Sequence, residues 1–188
     1  MKSICIRNLN THVNDMYLIS LYFDEKTNSI LQRYIDKVAK VTGNTFMTDH
    51  EVPPHMTLSA IEARNVDVLK PSFETLAGKL KGGQIQFVST GQLFPYVFYI
   101  TPVLNDYLRE LSQTVFDEYS KIPETSVSRY YKPGSWLPHV TIGKTLTKEQ
   151  MLKALELVQD EFSPFLSEVT RIGLSRVNPH KDVDSIIL

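Results

Sequence analysis

Short apolar runs along the chain alternate with longer segments in which apolar residues recur every three or four positions. The runs are rich in β-branched and aromatic residues, which is typical of strands, and they lie at 17–23, 84–90, 96–100 and 168–177. The segments with helical spacing lie at 30–41, 66–80, 104–119 and 151–162. This mixture of elements predicts an α+β fold.

Local signals place the ends of several predicted elements. Pro71 interrupts the second helix, which should therefore start late or bend. The pair at 101–102, threonine and proline, is predicted as the N-cap and first residue of the third helix. Thr147 and Gln150 form a capping box for the fourth. The tail 178–188 turns apolar at its end and fits either an edge strand or a self-association surface.

One sequence pattern occurs twice. Residues 53–58 read PPHMTL and residues 137–142 read LPHVTI, so both contain a proline, a histidine and a threonine with aliphatic residues between. His55 and His139 are 84 positions apart, and the final strands of the two halves begin near residues 84 and 168, also 84 apart. Each pattern is the third element in the order strand, helix, strand, helix, strand. The matched spacing predicts two copies of one structural unit.

The duplication predicts a single two-lobed domain spanning 1–188. Lobe one should cover about 16–91 and lobe two about 95–180. Each lobe should carry a mostly antiparallel sheet with helices on its outer face. A pseudo-two-fold axis between the lobes would place the two histidine strands opposite each other across a central cleft.

Composition narrows the possible functions. The formal net charge of −1 gives no bulk field to attract nucleic acid, so anion binding must come from a local pocket. The single cysteine, Cys5, excludes an internal disulfide and a cysteine-rich zinc site. The N-terminus has no secretory pattern, and the apolar run 16–23 is too short for a membrane span. We therefore expect a soluble, cytoplasmic protein with no membrane partner. The sequence does not indicate its oligomeric state.

The repeated pattern brings acid/base and phosphate-binding side chains together. Because strand side chains alternate between faces, His55 and Thr57 project together, as do His139 and Thr141. Two imidazoles can remove one proton and donate another, and hydroxyls can donate to phosphate oxygens. Phosphodiester cleavage needs these groups and needs no metal or cofactor. A single such strand would more often be structural, because threonine favours strands for packing reasons alone.

HMTL and HVTI resemble the two His-x-[Ser/Thr]-hydrophobic motifs of the two-histidine (2H) phosphoesterase superfamily, which includes 2′-5′ RNA ligase-like proteins. The resemblance extends over about 16–177 in element order and duplication. It implies metal-independent action on cyclic phosphates or on 2′-5′ phosphodiester bonds of RNA or nucleotides. His55 and His139 would be the acid/base pair, and Thr57 and Thr141 would hold the phosphate.

The resemblance also directs attention to Lys144. Many bacterial relatives carry an arginine three residues after the second threonine, and this chain has Lys144 there. Lysine keeps the positive charge and lacks the planar fork of arginine. We therefore expect Lys144 to contribute to phosphate binding, with the ligase-type substrate left open.

Other side chains near the two strands are candidates for substrate contact. The segment 128–136 contains Arg129, Tyr130, Tyr131 and Trp136, which could contact a flanking phosphate or stack on a base. The alternative is that the tyrosines pack the loop and Trp136 belongs to the core. Tyr22 shares a strand face with Ser20, so it could line the cleft.

The remaining histidines, at 12, 50 and 180, have no pattern of metal ligands and are predicted to be solvated.

The main functional prediction is an enzyme that hydrolyses cyclic phosphates or 2′-5′ bonds of RNA or nucleotides. The reverse reaction, 2′-5′ ligation, uses the same acid/base pair. Cyclic nucleotides or small oligonucleotide signals are a third class of substrate. The alternative outside enzymes is a module that binds RNA or nucleotides without turnover. Two titratable histidines favour catalysis, because a binding module does not need them.

Overall fold

The computed structural model describes residues 14–177 and 179–188. His12 and Cys5 therefore lie outside the described residues. The strands are β1 (Asp15–Phe23), β2 (Met56–Ala63), β3 (Gly83–Leu93), β4 (Val97–Pro102), β5 (Ser126–Val127), β6 (Val140–Gly143), β7 (Phe165–Arg176) and β8 (Lys181–Ile187). The α-helices are α1 (Glu25–Thr42), α2 (Phe46–Asp49), α3 (Lys70–Leu76), α4 (Asp106–Tyr119) and α5 (Lys148–Glu161).

The predicted order of elements is confirmed in both halves. The first half forms β1, α1, β2, α3 and β3, and the second forms β4, α4, β6, α5 and β7. Helix α2 lies between α1 and β2, and strand β5 lies between α4 and β6. Helix α3 starts late, with Pro71 in its first turn. The tail forms the edge strand β8, which pairs with β7.

Helix boundaries follow the predicted capping signals at α5 and depart from them at α4. The capping box of Thr147 and Gln150 is present. The prediction that Thr101 and Pro102 begin the third helix is wrong, because both residues belong to β4. Helix α4 is capped instead by Asn105, whose side chain accepts from the Leu108 N–H. Strand pairing outweighs the local signal here, since Thr101 pairs with β3.

Among the described residues, every strand pairing is antiparallel, and six strands close into a ring. The order around the ring is β1, β2, β6, β4, β3, β7 and back to β1. Strand β3 thus pairs with two strands of the second half, and β7 pairs with β1 and β3 of the first. This confirms an antiparallel α+β fold. The division into lobes at 16–91 and 95–180 stays a prediction, because strands of both halves share hydrogen bonds.

Two residue pairs mark a local two-fold relation between the halves. Met56 pairs with Val140, and Gln84 pairs with Glu168. The partners in each pair are 84 positions apart, which is the repeat length of the two histidine patterns. Equivalent residues that pair with each other must lie beside the axis that relates them. The histidine patterns therefore meet at this axis.

The helices cover one face of the strands and leave the other face to polar side chains. Tyr17, Ile19 and Leu21 of β1 are buried in the core with the apolar stripes of α1, α4 and α5. Ser20 and Tyr22 lie on the opposite face, as predicted. We call β5, β2, β1, β7 and β8 the first strand group, and β6, β4 and β3 the second strand group. No described helix is long and apolar enough to span a membrane.

Candidate active site

The two histidines directly precede the pair that joins their strands. His55 comes before Met56 and His139 before Val140, the single registered pair between β2 and β6. In an antiparallel pair, the residue before one partner lies across from the residue after the other. His55 is therefore on the side of Thr141, and His139 on the side of Thr57. The fold brings together the four side chains predicted from the sequence.

Both imidazoles are held by the same backbone contact. Nδ1 of His55 lies 2.9 Å from the carbonyl oxygen of Pro53, and Nδ1 of His139 lies 2.8 Å from that of Leu137. A carbonyl can only accept, so each Nδ1 carries a proton and donates it. In the neutral ring, Nε2 then has the free lone pair. Each histidine is thus oriented with Nε2 available for proton transfer.

The environment lowers the pKa of both histidines. For His139, burial lowers the pKa, and the hydrogen bond to the Leu137 carbonyl partly offsets this. For His55, burial is again the largest cause, and the Pro53 carbonyl opposes it. Charge on His180 and on His139 lowers the pKa of His55 further, while Asp182 raises it. Both rings are therefore biased toward the neutral form.

Residues of the loop before β6 support the first motif from behind. Trp136 is only 8% exposed, and its indole N–H donates to the Thr57 carbonyl at 2.9 Å. Trp136 thus lies in the core, and little of its ring surface is left for stacking on a base. Burial raises the pKa of Tyr131, and the Thr57 hydroxyl partly offsets that rise. Tyr131 therefore also lies beside this motif.

A tyrosine lies beside each histidine. The ring centroids of Tyr22 and His55 are 6.2 Å apart, and those of Tyr99 and His139 are 5.2 Å apart. Each tyrosine covers a glycine: a Cβ on Gly173 would come within 2.8 Å of the Tyr22 ring, and one on Gly91 within 2.5 Å of the Tyr99 hydroxyl. Only glycine leaves room for these rings. Tyr99 had no signal in the sequence beyond its strand position.

His180 and Asp182 are further groups that the sequence did not indicate. The prediction of a solvated His180 is wrong, because its ring lies 6.5 Å from the His55 ring at an angle of 23° and its side chain is 22% exposed. Nε2 of His180 is 3.3 Å from Asp182 Oδ1. Both residues reach the site through the pairing of β8 with β7, which no local motif encodes. His50, in contrast, is exposed and stacks on Phe46.

Other predicted contact residues lie on exposed surface. The Lys144 ammonium is 5.6 Å from the centroid of the Phe46 ring, so α2 holds its position. The Arg129 guanidinium lies 4.8 Å from the Tyr130 ring centroid and donates to the Tyr130 hydroxyl at 2.8 Å. Contact of Lys144, Arg129 or Tyr130 with a substrate stays a prediction.

An open groove of about 830 Å³ adjoins the first motif on its outer side. It is lined by polar residues of α1 together with Pro53 and Pro54. Neither histidine lines this groove. Among the described residues, no group of three or more His, Cys, Asp or Glu side chains is placed to hold a metal ion.

Comparison with known proteins agrees with this arrangement of elements. The profile of the 2′-5′ RNA ligase superfamily matches residues 30–180, most of the chain. The chain belongs to the 2′-5′ RNA ligase superfamily. The resemblance drawn from HMTL and HVTI is thereby confirmed. The matched region contains both motifs, although the match does not by itself assign roles to their residues.

Several solved structures share the fold of this chain. Escherichia coli LigT complexed with 3′-AMP superposes with a TM-score of 0.60 at 15% identity, covering 93% of this chain and 98% of LigT. A structure described as a phosphoesterase gives the same values. LigT complexed with phosphate gives a TM-score of 0.55 at 14% identity, covering 94% and 98%. No curated protein sequence matches significantly. At these identities the likeness establishes the fold of this superfamily member.

Proposed function

We propose that this protein is a phosphoesterase that opens cyclic phosphates or cleaves 2′-5′ phosphodiester bonds of RNA or nucleotides. The observation that carries the proposal is the matched orientation of His55 and His139, whose Nδ1 atoms are both fixed by a backbone carbonyl. An imidazole fixed in this way presents Nε2 as its reactive atom. Two such groups at one site supply the acid and the base of a phosphoryl transfer.

The proton transfers follow from the two imidazoles. One neutral histidine accepts a proton at Nε2 from the attacking water or hydroxyl. The other, protonated at Nε2, donates to the oxygen that leaves phosphorus. Burial alone would leave both rings neutral, but a bound phosphate anion raises the pKa of the imidazoles around it. Substrate binding therefore favours the singly protonated pair that the reaction needs, and either histidine can take either role.

The threonine hydroxyls complete the proposed site. Thr57 and Thr141 are half-buried beside the histidines. Each hydroxyl can donate to a non-bridging phosphate oxygen, where negative charge increases during the reaction. LigT was crystallised with 3′-AMP and with phosphate. Nucleotide-sized phosphate esters are accordingly the first ligands to test.

The test is a substrate panel with matched variants. The protein is incubated with a nucleoside 2′,3′-cyclic phosphate, an RNA ending in a cyclic phosphate and a 2′-5′ dinucleotide, each with and without EDTA. We expect turnover of at least one, unaffected by EDTA. His55→Ala and His139→Ala should each lose at least about 100-fold in kcat, the lower end of acid/base contributions. His50→Ala is the control, because His50 is exposed and directly follows α2.

Four outcomes would contradict parts of the proposal. Full activity in either variant of the pair would exclude that histidine as acid or base. Activity lost with EDTA would exclude the metal-independent mechanism. Tight nucleotide binding without turnover would identify a binding module, and net joining of 2′-5′ ends would identify a ligase.

A further inference from the structure

The two strand groups differ at one pair of positions beside the histidines. In the first group, Leu21 pairs with Met56, and the next residue, Tyr22, pairs with Arg171. In the second group, Ile100 pairs with Val140, and the next residue, Thr101, pairs with Ser89. The local two-fold relation equates Met56 with Val140. The position of Arg171 is therefore occupied by Ser89 in the second group, and only the first group has a cation there.

Arg171 faces the same side of the sheet as the catalytic candidates. Paired residues of antiparallel strands project to the same face, so Arg171 lies on the face of Tyr22 and Ser20. Its guanidinium carbon is 3.8 Å from the centroid of the Tyr22 ring. That ring in turn lies 6.2 Å from His55. The Tyr22 ring is thus a neighbour of both groups, and strand β1 lies between the strand of Arg171 and the strand that His55 precedes.

The charge of Arg171 is not neutralised by a carboxylate. Within residues 14–177 and 179–188, no Asp or Glu oxygen lies within 4.0 Å of its guanidinium nitrogens. The nearby Asp182 lies against His180 instead. Arg171 is also half-buried, which weakens its solvation. A partly desolvated guanidinium without a counter-ion favours an anion, and its planar fork matches phosphate.

Two hydroxyl groups near Arg171 lack hydrogen-bond partners within the described part of the chain. Among the described residues, Tyr22 Oη and Ser20 Oγ have no hydrogen-bond partner, and these side chains are 2% and 1% exposed. Burial raises the pKa of Tyr22 to about 12, so its hydroxyl stays protonated at neutral pH. Unpartnered buried polar groups cost free energy unless a ligand or water satisfies them. Within the described chain, the floor of the first strand group thus combines a cation that forms no ion pair with two unpartnered hydroxyls, while the nearby Asp182 carboxylate also raises the pKa of Tyr22.

We propose that Arg171 forms a second phosphate subsite, which binds a phosphate of the substrate other than the one that reacts. This inference rests on the proposed function and deepens it. The reacting phosphate lies between the two histidines, while Arg171 lies on β7, two strands away from β2, which His55 precedes. The preferred substrate class is then an oligonucleotide or RNA end with at least two phosphates. A mononucleoside cyclic phosphate would use only the catalytic half of the site.

The experiment compares three substrates that end in a 2′,3′-cyclic phosphate. They are the mononucleotide, the dinucleotide with a natural linkage, and the same dinucleotide with an uncharged methylphosphonate linkage. We expect a KM for the natural dinucleotide about tenfold below that of the methylphosphonate, which is the scale of a hydrogen bond to a charged group. Arg171→Gln should reduce the KM ratio, methylphosphonate dinucleotide over natural dinucleotide, to near one. It should leave the KM of the mononucleotide unchanged.

Matched variants separate the subsite from a structural role. Arg171→Lys keeps the charge and loses the fork, so it should retain part of the ratio. Arg176→Gln is the control, because Arg176 ends the same strand and is paired with Asp15. A purely structural Arg171 would lower stability or shift every KM alike, without changing the ratio. A ratio that survives in Arg171→Gln would overturn the subsite.

A binding measurement keeps the two proposals distinguishable. Titration calorimetry with the two product dinucleotides, natural and methylphosphonate, measures their dissociation constants. The ratio of these constants tests the same contact without turnover. If no substrate is turned over but the binding ratio depends on Arg171, the subsite stands and the proposed hydrolysis fails. If turnover occurs with no ratio in the wild-type protein, the hydrolysis stands and the subsite fails.

Discussion

Trp136→Phe is the substitution that best separates a structural from a substrate-binding role beside the first motif. The indole N–H donates to the carbonyl of Thr57, and the side chain is 8% exposed. Phenylalanine leaves that carbonyl without its donor, which costs about 1–3 kcal/mol. The smaller ring also leaves a cavity, which costs about 1 kcal/mol more. We therefore expect the free energy of unfolding to fall by about 2–4 kcal/mol.

Urea unfolding followed by far-UV circular dichroism measures this loss. Tryptophan fluorescence cannot be compared between the two proteins, because Trp136 is the only tryptophan in the chain. Tyr130→Phe is the control: Tyr130 is 63% exposed, and its loss should cost less than about 0.5 kcal/mol. In the wild-type protein, saturating nucleotide should leave the Trp136 emission almost unquenched.

The opposite pattern would refute the structural role. If Trp136 stacks on a base, Trp136→Phe should cost little stability, raise KM by an amount that depends on the base, and remove a nucleotide-dependent quench. A stability loss below about 0.5 kcal/mol would contradict the hydrogen bond to Thr57 as a stabilising contact.

Three further predictions follow from the described geometry. Thr57→Val and Thr141→Val should each lower kcat about 100-fold with little change in the free energy of unfolding. Steady-state kinetics and urea unfolding measure the two quantities. An unchanged kcat would exclude the hydroxyl as a donor to the phosphate. Because burial lowers the pKa of His55 and His139, the unfolded chain binds more protons than the folded protein in mildly acidic solution. The free energy of unfolding should therefore fall as the pH drops below 6.5, the ordinary histidine pKa. Thermal melts of a variant with both histidines changed to glutamine should show a smaller loss of stability over the same pH range. Tyr119→Phe should leave stability unchanged or raise it by up to about 1 kcal/mol, since the buried Tyr119 hydroxyl has no partner among the described residues; a loss above that size would reveal one.

The features predictable from the sequence are those encoded by neighbouring residues. The two histidine patterns, their spacing of 84 and the capping box at Thr147 depend on local chemistry, and the structure contains all three. The face of Tyr22 also followed from simple alternation along β1. Element order could be read in the same way, because helical and strand periodicities differ along the chain.

The features that escaped prediction depend on long-range pairing. Arg171 and His180 reach the site only because β7 pairs with β1 and β8 pairs with β7. The wrong helix start at Thr101 has the same origin, since pairing with β3 and a hydrogen bond to the Pro138 carbonyl keep that residue extended. A single sequence gives the side-chain period of a strand and does not specify its neighbours.

The exchange of final strands between the halves bears on how such a chain could have arisen. Strand β3 ends the first half, and both of its partners, β4 and β7, come from the second half. Strand β7 in turn pairs with β1 and β3 of the first half. An ancestral peptide of one half would have had no internal partner for its last strand. Two copies of that peptide could have closed the ring as a symmetric homodimer, with one imidazole from each copy. Fusion of the two genes would then have allowed the halves to diverge, so that one side could gain a cation such as Arg171 that the other lacks.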